Sequence, residues 1–294
     1  MLQSFSQNMK PHWRRALAML LVLLTVVGML PSTAFAAETP YAATGDFEVN
    51  VAGSTGWNGT CNPLPVFDSE GGDKEISSVP TSDGSKPVPF VILEDNGGER
   101  VKISLTDGKT GWVDKTHIFI NLPDVLPSIA YNLTNASGSI FTAANGTKIP
   151  DVTGHQFYTG KKINLRLDRK EYIAPCMYTL AQRLAKVQKS AMANGETLVI
   201  YETFRPAAVQ SAVRDGLSSL IDSDKTVAAD MKKADSMDYG QNWFISGGTS
   251  GHQAGLSVDM TLAKGDPDEL YEYNLDGVTY RKYEMWTEYD MPSA

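Results

Sequence analysis

Apolar and polar residues alternate strictly over residues 256–262. This period of two is typical of a β-strand with one buried face. The apolar face consists of Leu256, Val258, Met260 and Leu262. Asp259 would project from the opposite face, between the small hydroxyl residues Ser257 and Thr261. The pattern therefore predicts a strand that presents one carboxylate on its polar side.

A second strand is predicted over residues 198–204, which lead directly into Arg205 and Pro206. A helix should follow, because Pro206 suits a first helical turn and the apolar residues after it keep helical spacing. Arg205 would then stand at the exit of a strand, where a side chain can face a pocket. Its guanidinium could hold a carboxylate or stabilise an oxyanion. A structural bridge between strand and helix is the alternative role.

The remaining patterns predict an α+β protein. Helices are predicted over residues 175–193 and 226–236, packed on one side of a small, mainly antiparallel sheet. Residues 45–122 contain short strand-like segments and predict an all-β domain with Trp112 in its core. Its clearest hairpin has a turn at Asp107-Gly108. Residues 123–153 are rich in Asn, Ser, Ala and Gly and predict a linker or an irregular approach to the next domain.

His252 and Asp259 are candidate ligands of a zinc ion. His252 lies on a Gly- and Ser-rich loop, in which Gly255 allows the backbone to turn tightly towards the predicted strand. An imidazole nitrogen and a carboxylate oxygen suit Zn²⁺, which binds each at about 2.0 to 2.2 Å. A surface His that caps a loop and an Asp in an ordinary turn would give the same sequence.

These segments resemble the zinc D-alanyl-D-alanine dipeptidases and carboxypeptidases of bacterial cell walls, in particular the vancomycin-resistance dipeptidase branch. The chain matches the family's strand that ends in aromatic-Arg-Pro at residues 201–206, and its Ser-x-His-x-x-Gly-x-x-x-Asp loop at residues 250–259. The resemblance covers residues 154–294 and implies the fold of the zinc peptidases. It also implies that Arg205 binds substrate and transition state, and that His252 and Asp259 are the first two zinc ligands.

The family pattern includes a catalytic Glu and a third zinc ligand on a later Glu-Trp-Trp-His-like segment, which this sequence does not contain. We therefore expect residues 154–294 to be a peptidase domain truncated at its C-terminus. Catalytic zinc normally needs three protein ligands, so the chain should bind zinc weakly and hydrolyse little. Of the other histidines, His117 is expected on the surface, and His155 could approach the site.

The resemblance implies hydrolysis of D-Ala-D-Ala or related peptidoglycan peptides by a zinc-activated water. Two alternatives remain: a noncatalytic wall-binding protein with a degenerate peptidase fold, and an endopeptidase of the same fold that cuts wall cross-links. The Asp-Gly-x-x-Gly-Trp-Val pattern at residues 107–113 resembles, more weakly, the last hairpin of bacterial SH3-like barrels. That resemblance implies an SH3-like domain over residues 45–122 with possible binding to the cell wall.

Residues 1–36 have the pattern of a signal peptide. Three basic residues precede an apolar run over residues 16–30, and small residues follow at 32–36. We expect a secreted or wall-associated bacterial protein without a stable membrane span after cleavage. Removing this segment leaves 23 basic and 34 acidic residues, a net charge of 23 − 34 = −11, which argues against a nucleic-acid partner.

The two cysteines, Cys61 and Cys176, fall in the two different halves of the chain. We favour two independent thiols, because Cys176 has apolar neighbours at helical spacing and is expected to be a small core residue. A single interdomain disulfide remains the alternative in an oxidising compartment.

Overall fold

The computed structural model describes residues 47–81, 87–133, 160–235 and 245–289. In these residues the chain is α+β, with mostly antiparallel sheets and four α-helices. The described residues between 47 and 286 belong to one compact unit. The predicted signal peptide lies outside the described residues. None of the described helices combines the length and the apolar character that a membrane span requires.

The helices are α1 (Leu122–Val125), α2 (Tyr178–Ala193), α3 (Ala207–Ser223) and α4 (Lys225–Asp235). The strands of the first half are β1 (Thr55–Asn58), β2 (Leu64–Phe67), β3 (Glu75–Val79), β4 (Phe90–Glu94), β5 (Arg100–Ser104), β6 (Thr110–Asp114), β7 (Ile118–Asn121) and β8 (Ala130–Tyr131). Those of the second half are β9 (Lys162–Asn164), β10 (Arg169–Glu171), β11 (Pro175–Met177), β12 (Glu196–Glu202), β13 (Asp259–Gly265), β14 (Leu270–Leu275), β15 (Val278–Tyr283) and β16 (Trp286–Glu288).

The largest sheet has eight strands in the order β11-β7-β1-β4-β5-β6-β2-β3. The predicted hairpin is confirmed as β5 and β6, and its turn closes through a hydrogen bond from Leu105 N–H to the Lys109 carbonyl (2.8 Å). Gly108 has φ of +82°, in the left-handed region that favours glycine. Val113 is fully buried, whereas Trp112 beside it is only half-buried. Trp112 therefore lies at the margin of the core rather than within it.

The structure differs from the predicted linker at its start. Residues 123–133 are buried apart from Asn132, and they contribute most of α1 and all of β8, which pairs in parallel with β12. The apolar residues of this stretch enter the main core, namely Val125, Leu126, Ile129, Tyr131 and Leu133. The Asn- and Gly-rich composition of the later residues concealed this apolar start. The rest of the predicted linker lies outside the described residues.

The two halves of the chain share one hydrophobic core. Its buried members extend from Val51 in the first half to Ile200 in the second. Strand β11 adds to the edge of the eight-stranded sheet, where Cys176 pairs with Ile120 of β7. The predicted boundary therefore does not separate two cores within the described residues.

Pairing with β7 also explains where α2 begins. Residues 175–177 are extended as β11, so the helix starts at Tyr178 and not at Pro175 as predicted. Cys176 is fully buried in this strand and not on a helix face, and Cys61 is exposed. Both thiols are free, as predicted.

The second sheet has the order β16-β13-β12-β8 and carries the candidate site. Strands β12 and β13 are antiparallel, with Leu198 opposite Leu262. Val258, Met260 and Leu262 pack against the main core, as their alternation predicted. Leu256 is 58% exposed, because the strand begins only at Asp259 and the preceding residues turn back on themselves.

A buried polar network crosses the core beside α2. The Glu48 carboxylate accepts hydrogen bonds from the N–H (3.0 Å) and the hydroxyl of Ser128. The amide of Gln188 in α2 donates to the same hydroxyl (2.8 Å) and accepts from Leu198 N–H (2.9 Å). Burial raises the pKa of Glu48 to about 7, against the hydrogen bonds from Ser128 that lower it.

Stability should therefore fall as pH rises from 4.5 to about 7, because the folded protein keeps a proton on Glu48 that the unfolded chain releases. The loss in the free energy of unfolding should reach up to about 3 kcal/mol. Urea unfolding of wild type and Glu48→Gln at pH 4.5 and pH 8 measures it, and the variant should lose this part of the pH dependence. Glu99→Gln, which replaces an exposed carboxylate, is the control and should keep the pH dependence of the wild type. An unchanged pH dependence in Glu48→Gln would contradict the assignment.

Candidate metal centre

Three side chains with metal-binding atoms converge at the end of β12. They are Glu202, His252 and Asp259, and their ligand atoms all lie within 4.8 Å of one another. A β-bulge between Ile200 and Glu202 brings Glu202, the last residue of β12, opposite Asp259, the first residue of β13. The strand pairing therefore sets two carboxylates side by side, and the loop before β13 adds the imidazole.

The orientation of His252 is fixed by the backbone of the neighbouring strand end. Its Nδ1 lies 2.9 Å from the carbonyl oxygen of Thr203. Because a carbonyl oxygen can only accept, Nδ1 must carry the hydrogen and donate it. The other ring nitrogen, Nε2, then points at Oδ1 of Asp259, 3.4 Å away. In a neutral imidazole both of these facing atoms are acceptors, so a proton or a metal cation must lie between them.

Arg205 lies beside the same carboxylates. Its Nε donates to Oε2 of Glu202 (2.9 Å), and Nη2 makes a second, short contact to the same oxygen. Nη2 also lies 3.3 Å from Oδ2 of Asp259. Arg205 is 6% exposed and Glu202 1%, so the pair is almost completely removed from water. Both predicted roles agree with this position, since Arg205 connects strand and helix and also borders the metal-binding group.

The charges around the site shift the pKa values of His252 and Asp259, whose side chains face each other. Burial and the charge of Arg205 disfavour the charged form of His252, but Asp259 and the hydrogen bond to the Thr203 carbonyl together outweigh them, so the pKa of His252 is raised. Burial likewise opposes ionisation of Asp259, yet His252 and Arg205 together hold the pKa of Asp259 below its usual value. Asp259 is therefore an anion, which is the form that binds a cation.

Gln210 of α3 connects Arg205 to the glycine-rich loop before His252. Its side-chain oxygen accepts from Nη1 of Arg205 (3.4 Å) and from the hydroxyl of Ser250 (3.0 Å). Its side-chain nitrogen donates to the carbonyl of Gly248 (2.8 Å) and the hydroxyl of Ser246 (2.7 Å). Gln210 is 3% exposed, so these bonds are shielded from water and hold the loop firmly against α3.

The structure brings together all three residues predicted for the site, Arg205, His252 and Asp259. Sequence reasoning missed Glu202 as a third carboxylate and Gln210 as a support for the loop. The sequence offered one signal for Glu202, namely a charged residue directly after the apolar residues of a predicted strand.

The other histidines lie away from this group or outside the described residues. His117 is exposed, as predicted, and its nearest acidic partner is Asp114 at 3.8 Å. His155 lies outside the described residues.

One imidazole nitrogen and two carboxylates form a donor set that fits a divalent transition-metal ion. Two ligand atoms at about 2.1 Å from a tetrahedral ion lie about 3.4 Å apart, which equals the observed Nε2 to Oδ1 distance of 3.4 Å. The Thr203 carbonyl behind Nδ1 is the usual kind of partner for a metal-binding histidine. The described residues could therefore hold a metal ion.

Comparisons of the chain with models of protein families, with curated proteins and with solved structures give no match.

Proposed function

We propose that the chain is a zinc metallopeptidase that hydrolyses D-Ala-D-Ala or related peptidoglycan peptides. The observation that carries the proposal is the fixed orientation of His252. With Nδ1 donating to the Thr203 carbonyl, Nε2 faces Asp259 across 3.4 Å, the separation expected of two ligands on one ion. The sequence resemblance to the zinc D-alanyl-D-alanine peptidases supports the substrate class.

His252, Asp259 and Glu202 would hold the zinc ion, and Glu202 supplies the third protein ligand that catalytic zinc normally needs. Zinc, when bound, supplies a water of lowered pKa and a Lewis acid for the scissile carbonyl. Arg205 can donate hydrogen bonds to the oxyanion that develops at that carbonyl or to the carboxylate of the substrate. Its Nη2, 3.3 Å from Asp259, already lies beside the ligand set.

The proposal extends to the fold and the location of the protein. We propose that the sheet of β12 and β13 with α2 and α3 corresponds to the peptidase fold, and that the strands of residues 45–122 correspond to an SH3-like barrel. An exported protein of this kind would meet wall peptides directly, and the β-rich half could bind the wall. No nucleic-acid partner is proposed, because the chain is acidic, with a net charge of −8.

The full chain, loaded with zinc and freed of excess metal, tests the proposal. With Glu202 as a third ligand we expect about one equivalent of bound zinc, more than the two predicted ligands alone would retain. Release of D-Ala from D-Ala-D-Ala should be slow, because the family's catalytic Glu has no counterpart in the sequence, and it should stop when a chelator removes the metal. Failure of the wild-type chain to retain zinc would overturn the proposal. Zinc retention without cleavage of either D-Ala-D-Ala or a cross-linked wall peptide would overturn the enzyme and favour a wall-binding protein.

Replacing Arg205 by Met should separate binding from catalysis. Removal of a buried cation next to two ligand carboxylates should tighten zinc binding by about tenfold or more. Turnover should fall by about 100-fold, because an oxyanion donor is lost. Zinc affinity by chelator competition and D-Ala release measure the two effects. Arg183→Met, at an exposed position of α2, is the matched control.

A structural role alone for Arg205 predicts a different outcome. In that case Arg205→Met would lose both its fold and its zinc, and Arg205→Lys would be as active as wild type. Circular dichroism of the zinc-loaded variants distinguishes loss of fold from loss of chemistry.

A further inference from the structure

We infer that Phe119, in the first half of the chain, is a positioning residue for the loop that carries His252. The inference rests on the proposed metal site and adds a component that lies outside residues 154–294. It also gives the β-rich half of the chain a role in the chemistry of the site, beyond any binding to the wall.

The backbone connects β7 to the metal loop through β11. Phe119 of β7 pairs with Met177 of β11. The N–H of Met177 donates to the carbonyl of Gly255, three residues after His252 (3.0 Å). The carbonyl of Pro175, at the other end of β11, accepts from the N–H of Phe204 (3.1 Å). A three-residue strand is thus bonded to β7, to the metal loop and to the end of β12.

The ring of Phe119 packs directly on the turn of the metal loop. A Cβ atom added to Gly255 would lie 2.3 Å from Cε1 of Phe119, so the ring leaves no room for a side chain there. Gly255 has φ of +65°, which a residue with a side chain rarely adopts. The ring therefore determines how closely this turn can approach β7.

Phe119 also contacts the segment that orients the imidazole. Its ring centroid lies 5.2 Å from that of Phe204, with the two planes inclined at 49°. Phe204 is flanked by Thr203, whose carbonyl accepts the Nδ1 hydrogen of His252, and by Arg205. The N–H of Arg205 in turn donates to the His252 carbonyl (3.2 Å). One ring therefore supports both the loop that carries the ligand and the strand end that orients it.

The direction of Phe119 sets it apart from its neighbours in β7. Ile118 and Ile120 belong to the main hydrophobic core, whereas Phe119 is 8% exposed and is not a member of that core. Successive residues of a strand point to opposite faces, so the side chain between the two isoleucines is directed to the face that meets Gly255. A residue that only filled the main core would lie on the other face.

The test measures zinc affinity of the full chain by competition with a chromophoric chelator. Phe119→Ala should weaken zinc binding by about 10- to 100-fold, the range found when a group that orients a metal ligand is lost. Phe119→Leu, which keeps most of the packing, should recover much of the zinc affinity. If Phe119→Ala does not fold, the zinc affinity of Phe119→Leu is compared with that of the wild type instead. Phe90→Ala, which removes a core ring of similar burial, is the control and should leave the affinity of the folded protein unchanged.

A second pair of variants tests the contact itself. Gly255→Ala should weaken zinc binding because its Cβ meets the Phe119 ring. In Phe119→Ala/Gly255→Ala the clash is absent, so the double variant should bind zinc more tightly than the product of the two single effects predicts. The d–d spectrum of the cobalt-substituted proteins reports whether the ligand geometry changes along with affinity.

The outcomes separate this inference from the proposed function. If the wild-type chain retains no zinc, both are overturned. A different outcome is that the wild type retains zinc, and that Phe119→Ala and Phe119→Leu bind zinc as tightly as the wild type does. In that case only the positioning role of Phe119 is overturned. Purely additive effects of Phe119→Ala and Gly255→Ala would also count against it.

Discussion

Replacing His252 by alanine is expected to abolish the proposed zinc retention and the proposed peptidase activity together. Loss of a group that only orients a metal ligand costs about 10- to 100-fold in metal affinity, and loss of the ligand itself should cost more. The two carboxylates that remain, Glu202 and Asp259, would then bind mainly to Arg205, which already contacts both. Metal analysis after gel filtration, together with D-Ala release, measures the effect.

The chain offers a matched control for this variant. His117 is exposed and lies 3.8 Å from Asp114, so it is also a histidine beside a carboxylate. His117→Ala should leave both zinc content and activity at the wild-type level. If His252→Ala retained as much zinc as His117→Ala, the metal centre would have to be sought elsewhere in the chain.

Replacing Lys115 by Met is expected to destabilise the fold by about 3 to 5 kcal/mol, because it leaves a buried carboxylate without its cation. The Nζ of Lys115 lies 2.9 Å from Oδ1 of Asp95, and the two side chains are 9% and 1% exposed. The hydroxyl of Tyr178, at the start of α2, donates to Oδ2 of Asp95 (2.6 Å). Denaturant unfolding at neutral pH measures the change.

Two further variants make this expectation specific. Lys102→Met removes an exposed pair, Lys102 and Glu94 at 3.9 Å, and should cost less than about 1 kcal/mol. Asp95→Asn/Lys115→Met removes both buried charges and should regain much of the lost stability. A loss in Lys115→Met no larger than that in Lys102→Met would show that the buried pair contributes nothing specific.

The local patterns of the sequence predicted much of the site. Alternation placed Asp259 on a strand, and the helix after Pro206 begins at Ala207. These features are local, because strand and helix periods can be read from neighbouring residues. Glu202 escaped prediction as a ligand because its place opposite Asp259 depends on a bulge in the pairing of β12 with β13. A bulge reflects the register of two strands distant in sequence, which no local pattern reports.

The domain organisation was harder to predict for a similar reason. Strand β11 has only three residues, and it is extended because β7 offers it an edge. Without that partner, residues 175–177 are predicted to form the first turn of a helix. The buried start of the predicted linker was overlooked because its apolar residues are followed by a long polar stretch. In both places a tertiary contact overrides a local preference.

The pairing of β11 with β7 has a consequence for the inheritance of this protein. A break of the gene within residues 123–153 would leave Ile120 and Cys176, both fully buried, on separate polypeptides with unpaired strand edges. Domains that recombine freely during evolution each have a complete hydrophobic core of their own. Neither half of this chain has one, because the main core is shared by both. The segment that carries the metal-binding residues should therefore be inherited only together with the β-rich half of the chain.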